Sequence, residues 1–104
     1  MLSPTTAIAM TTDQIAPMPN IPEKLKLTSR WGLGWQLRSL SCSGFGDLVS
    51  EDTYGHSGAT GTLVWIDPKL QLTCVIFTND PQGAGRLRPR VSNAVAGSVI
   101  KEVV

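Results

Sequence analysis

Long apolar runs, a cysteine framework and an excess of one charge are all missing from this chain. No stretch nears the ~18 consecutive apolar residues that cross a bilayer. Residues 1–20 have neither a basic start nor a sustained apolar block, so no secretory leader is visible there. Net charge is +1, too small a field to gather nucleic acid or an anionic membrane. The one basic concentration, Arg86, Arg88 and Arg90, is expected to be a solvated helix start rather than a phosphate site. Two cysteines make no disulfide framework. Cys74 sits in an apolar run and is expected to be a buried, inert thiol, whereas Cys42 lies in an open Ser/Gly-rich loop. Internal repeats and low-complexity tracts are absent too. These absences set the expectation of a soluble protein, cytoplasmic by default, with no membrane span, nucleic-acid partner, metal or cofactor.

What remains is ordinary globular material, 41% apolar and 16% charged. Its 104 residues bound it to one domain or part of one, with a modest core. Ser3 before Pro4 suits an N-cap and first helical residue, and predicts a short helix to about Met10–Asp13. Residues 14–28, with Pro17, Pro19 and Pro22, read as an irregular linker. Trp31, Leu33, Trp35 and Leu37 alternate with polar residues or glycine, which predicts a strand over 31–38. Residues 39–53 form a polar loop.

Two apolar runs follow, Thr62–Ile66 and Gln71–Thr78, joined by Asp67-Pro68-Lys69. Asp at the first position and Pro at the next are strong turn residues, so the runs predict an antiparallel hairpin. Both runs are nearly continuous rather than alternating, which implies strands covered on both faces. From Leu87, the spacing Leu87, Val91, Val95, Val99 and Val103 predicts an amphipathic helix, with Pro89 tolerable only in its first turn. Few elements remain to cover a second face, so exposed apolar surface and self-association are expected. The fold class is α+β: an antiparallel meander with a packed C-terminal helix.

The most informative stretch is Tyr54-Gly55-His56-Ser57-Gly58-Ala59-Thr60-Gly61-Thr62. Small, permissive residues with one imidazole and the hydroxyls of Ser57 and Thr60 open the rigid hairpin, an arrangement suited to a site wall. Bland readings stand beside it. His56 could be a strand-end histidine satisfied by backbone, and Ser57 and Thr60 could serve local turn bonds. Trp31, Trp35 and Trp65 fit core packing. A Cys–His pair of His56 with Cys42 or Cys74 lacks an evident third, orienting residue.

The order of these features resembles the C-terminal part of serine β-lactamases and penicillin-binding-protein-like hydrolases, near the class C and esterase-type members. Leu2-Ser3-Pro4 with Met10-Thr11-Thr12, Gly32-Leu33-Gly34-Trp35, Gly55 through Thr62, Trp65-Ile66-Asp67-Pro68, Thr78-Asn79 and the terminal helix carry the resemblance, which spans the chain. It implies that His56-Ser57-Gly58 takes the Lys-Thr-Gly position on the strand lining the active site. His56 would then set local electrostatics, Ser57 and Thr60 would contact substrate, and Gly58 would leave it room. The Ala59 N–H would be an oxyanion donor. Histidine in place of lysine lowers fixed positive charge and looks more like esterase or peptidase relatives. The nucleophile of such enzymes lies in a Ser-x-x-Lys motif, with Tyr-x-Asn beyond it, and the chain is expected to hold neither. Tyr54, the only tyrosine, has His56 two places on. The expectation is one wall of an active site for a small acyl substrate or peptide, completed by an N-terminal part. A non-catalytic binding module, or a truncated product, on the same scaffold is the alternative.

Overall fold

The computed structural model describes residues 1–39 and 43–100. In chain order the elements are α1 (Pro4–Met10), α2 (Glu23–Thr28), β1 (Gln36–Leu37), a single 3-10 turn at Ser43–Phe45, β2 (Tyr54–Ser57), β3 (Leu63–Asp67), β4 (Leu72–Ile76) and α3 (Ala84–Val99). The strands pair antiparallel in the order β1-β2-β3-β4. This is the expected α+β meander with a packed C-terminal helix.

α1 starts as its sequence dictates: the Ser3 hydroxyl accepts the Thr6 N–H, and Pro4 needs no bond at the first position. The expected linker is irregular only through Pro22. Residues 23–28 form α2, because Pro22 opens the helix as its cap and its carbonyl accepts the Leu25 N–H at 3.0 Å.

The strand expected over 31–38 is mostly a tight reversal. Gly34 takes φ +79°, the Gly32 N–H donates to the Trp35 carbonyl at 2.8 Å, and Trp31 bridges Gln36. Only Gln36–Leu37 joins the sheet. A reversal built on glycines can carry the same alternation as a strand, which is why periodicity misled here. The reversal is pinned to α1, since the Leu33 N–H donates to the Met10 carbonyl at 3.0 Å. A Cβ on Gly32 would collide with that carbonyl, so the site requires glycine.

The hairpin forms as expected, with strands Leu63–Asp67 and Leu72–Ile76. Asp67 organises its turn: one carboxylate oxygen accepts the Lys69 and Leu70 N–H groups and the Ser50 hydroxyl, while the other accepts the Ser50 N–H at 2.6 Å. Gln71 belongs to this turn rather than to the strand, at φ 53°.

The expectation that both hairpin faces are covered is not met. Burial along β3 alternates strictly, and the buried face packs on α3. On the other face Val75 is 52% exposed, and beyond the end of β4 Phe77 is 87% exposed. The core lies between α3 and the sheet: Phe45, Val49, Leu63, Trp65, Cys74, Ile76 and Ala96.

α3 begins at Ala84, earlier than the expected Leu87, which puts Pro89 beyond the first turn. The carbonyl that Pro89 leaves without its helical partner belongs to Gly85, an exposed residue, so water can satisfy it. The buried stripe is Ala84, Ser92 and Ala96, not the valines. Small side chains let the helix approach the sheet, and Leu87, Val91 and Val95 flank the contact half-buried. Val103, offered as the last residue of the stripe, lies outside the described residues.

Candidate active-site wall

His56 and Ser57 are the last two residues of β2, and Gly58, Ala59 and Thr60 lead into the turn to β3. The five residues expected in the site are therefore contiguous at one end of the sheet. Tyr54–Ser57 is a regular strand, although its two glycine-flanked polar residues gave no period of their own.

Register decides what this strand offers. β1 pairs only with Tyr54 and Gly55, so among the described residues no strand pairs with the outer edge of β2 from His56 onward, and that edge is open. The Gly58 N–H donates to the Thr62 carbonyl at 2.9 Å, which makes that pair hydrogen-bonded. Bonded pairs alternate in an antiparallel ladder, so the pair Ser57–Leu63 is non-bonded. The Ser57 N–H and carbonyl consequently point away from β3 to the open edge. Farther on, Ala59 is exposed, and its N–H donates no hydrogen bond among the described residues.

The turn is held from below. Arg88 of α3 donates to the Gly58 carbonyl at 2.7 Å and to the Gly61 and Thr62 carbonyls at 3.1 Å each. The expected solvated helix start is thus wrong for Arg88: one guanidinium clamps three carbonyls of the site turn. Its fork geometry suits several acceptors at once. Sequence reasoning missed it because the contact spans 26 to 30 residues; the only signal was an arginine one helical turn from Ala84 on the small-residue stripe.

His56 is exposed, and its Nδ1 lies 2.8 Å from the Ser57 carbonyl oxygen. Its ring meets Trp31 edge-on, with centroids 5.6 Å apart and planes at 69°. Trp35 packs in the same manner on Tyr54 at 5.2 Å. Core packing therefore describes Trp65, which is fully buried, but not the half-buried Trp31 and Trp35, which line the approach to β2. A groove of about 390 Å³ runs beside the motif, lined by His56, Ser57, Gly58, Val64, Val75 and Phe77 among others. A larger cleft of about 820 Å³, between α2 and residues 46–51, contains none of the motif residues.

The geometry separates His56 from Cys74. Cys74 pairs with Trp65 on the buried face, whereas His56 pairs with Val64 on the opposite one. Burial also pushes the Cys74 thiol above its ordinary value, consistent with an inert side chain. Cys42 lies outside the described residues. Among the described residues no group of His, Cys, Asp or Glu side chains could hold a metal ion, and no helix is long and apolar enough to cross a membrane.

One sequence expectation needs correction. The spacing Ser-x-x-Lys does occur once, at Ser98-Val99-Ile100-Lys101. Ser98 is the penultimate residue of α3, and its hydroxyl donates to the Val95 carbonyl at 2.6 Å. It stands ten residues beyond Arg88, about 15 Å along the helix axis from the residue that grips the site turn. That serine is remote from the open edge of β2. No Tyr-x-Asn occurs in the chain.

An antiparallel sheet backed by a helix, presenting a His-Ser-Gly strand end and, among the described residues, a turn N–H without an acceptor, is an α+β scaffold with one exposed candidate site wall. The chain belongs to the β-lactamase family, whose model matches residues 5–96. It is similar to an Escherichia coli K12 protein described as a D-alanyl-D-alanine carboxypeptidase, 41% identical over 58 residues, covering 54% of this chain and 13% of that one. A Salmonella gallinarum protein of the same description is 47% identical over 53 residues, covering 49% and 12%. Among solved structures, a β-lactamase from Mycobacterium bovis superposes with a TM-score of 0.77 at 30% identity, over 94% of this chain and 38% of that one. The chain spans about an eighth of the length of the curated relatives it matches.

Proposed function

We propose that this chain supplies one wall of a serine acyl-transfer site acting on an ester or amide, with the nucleophile carried by sequence outside these 104 residues. The observation that carries the reading is the Ala59 N–H: on an exposed residue, it has no acceptor among the described residues, in a turn whose carbonyls Arg88 fixes. A fixed donor of this kind stabilises the oxyanion that forms when a hydroxyl attacks a carbonyl, and is worth about 3 kcal/mol.

The other residues take roles along the same edge. The Ser57 hydroxyl and Thr60 contact the substrate. Gly58 leaves the substrate room, and a Cβ there would also collide with the Thr62 hydroxyl across the turn. His56 tunes local charge without the permanent cation of a lysine. The described activity of the E. coli and Salmonella relatives favours a peptide amide as substrate class. Residues 1–104 then form part of one catalytic domain rather than a whole one.

The test is completion. The portion of the M. bovis β-lactamase that lies outside the matched 38% is produced alone, mixed with this chain, and fused to it. Hydrolysis of D-alanyl-D-alanine peptides or p-nitrophenyl esters is expected only in the mixture or fusion. Association without turnover would favour the non-catalytic binding module instead.

A further inference from the structure

We infer that His56 is locked as the Nδ1–H tautomer, with Trp31 as the positioning residue, so that its neutral ring offers the Nε2 lone pair to the site as a hydrogen-bond acceptor. The inference rests on the reading of His56 as part of the site wall and adds what that ring can recognise.

The chemistry follows from one contact. A carbonyl oxygen can only accept, so the 2.8 Å approach of Nδ1 to the Ser57 carbonyl is a hydrogen bond only when Nδ1 carries the proton. In the neutral ring the other nitrogen is then unprotonated. Nε2 has no hydrogen-bond partner among the described residues, and His56 lines the groove beside β2. A free histidine side chain favours the opposite tautomer, so the Ser57 carbonyl inverts the intrinsic preference.

Trp31 holds the ring in that rotamer. Its edge-to-face contact at 5.6 Å and 69° lies within the favourable range for aromatic pairs. Trp31 is itself well anchored: the Gln14 N–H donates to its carbonyl at 2.8 Å, and it bridges Gln36. The reversal at residues 31–36 therefore has a use beyond chain direction.

The consequence is a matter of specificity. A lysine at this position presents donors and a fixed positive charge, which suit a carboxylate. An Nε2 acceptor suits a group that brings a proton: a hydroxyl, an amide N–H or an ammonium. The same lone pair could receive the proton of an attacking hydroxyl.

His56 is the only histidine, so its two ring nitrogens can be observed without assignment ambiguity. Long-range proton–nitrogen correlation spectra of the chain are recorded along a rising pH series, up to the point where the ring shifts stop changing. Expected are a protonated-type shift at Nδ1 and an unprotonated-type shift at Nε2. The reverse pattern, or a free-histidine mixture, would overturn the inference. Trp31→Phe keeps an aromatic edge and should preserve the pattern; Trp31→Leu keeps apolar bulk alone and should move it toward the free-histidine mixture. An unchanged pattern in Trp31→Leu would remove Trp31 from the account. These readouts need no turnover, so they fail or succeed independently of the acyl-transfer reading.

Discussion

Ala59 carries the heaviest chemical assignment on the smallest side chain. Its contribution is a backbone N–H, so ordinary side-chain truncation cannot test it, whereas proline deletes the donor. In the completed enzyme, Ala59→Pro is expected to lower kcat by about two to three powers of ten, with Ser57→Ala acting mainly on KM. Steady-state kinetics on one ester substrate distinguishes the two. Asp67 makes a different prediction, because its role is in folding. Burial pushes its carboxyl up, but the Ser50 N–H and hydroxyl and the Leu70 and Lys69 N–H groups outweigh that and hold it below the ordinary aspartate value. A carboxylate depressed on folding contributes stability that is present above its unfolded value of about 3.9 and lost as pH falls through its folded value. Wild type should therefore lose stability on acidification below about pH 4, and Asp67→Asn should flatten that acid limb while costing about 1–3 kcal/mol near neutrality. Urea unfolding at a series of pH values reads both; an equally steep acid limb in the variant would assign the effect elsewhere.

Among the elements, the contact between α3 and the sheet sets the site turn in place. The Trp65 indole N–H donates to the Ser92 hydroxyl at 2.9 Å, and that hydroxyl donates to the Gly44 carbonyl at 2.9 Å. Ser92→Ala leaves the buried indole without an acceptor, so a loss of about 1–3 kcal/mol is expected. It should appear as a lower urea midpoint with an unchanged slope. How much of this was legible in the sequence follows the same division of scale. The hairpin was, because Asp67-Pro68 is local turn chemistry between two apolar runs. The terminal helix was, but the valine spacing pointed to the wrong buried stripe: helix–sheet approach is decided by where the side chains are small. The strand over 31–38 was misread because two glycines gave a reversal the pattern of a strand. His56 through Thr60 stood out as a motif, and the resemblance placed His56 and Ser57 on a strand. The Arg88 clamp and the Trp31–His56 contact were not legible, since both join residues far apart in the chain.

For the whole molecule, the decisive feature is a sheet with one covered face. Val75 and Phe77 stand exposed, and β4 is the last strand of the sheet, with no neighbour on its outer side among the described residues. Such a surface favours association. Sedimentation of the chain alone should show concentration-dependent self-association, suppressed when the completing portion is added; a tight monomer at high concentration would contradict this. Completion also fixes where chemistry can occur. The most direct measurement is mass spectrometry after treatment with a serine-acylating inhibitor. In the completed enzyme the covalent adduct should map to a serine of the supplied portion, with none on residues 1–104, and the chain alone should remain unmodified. An adduct on Ser57, or on Ser98 of the isolated chain, would contradict the account, because the nucleophile would then lie within the chain itself.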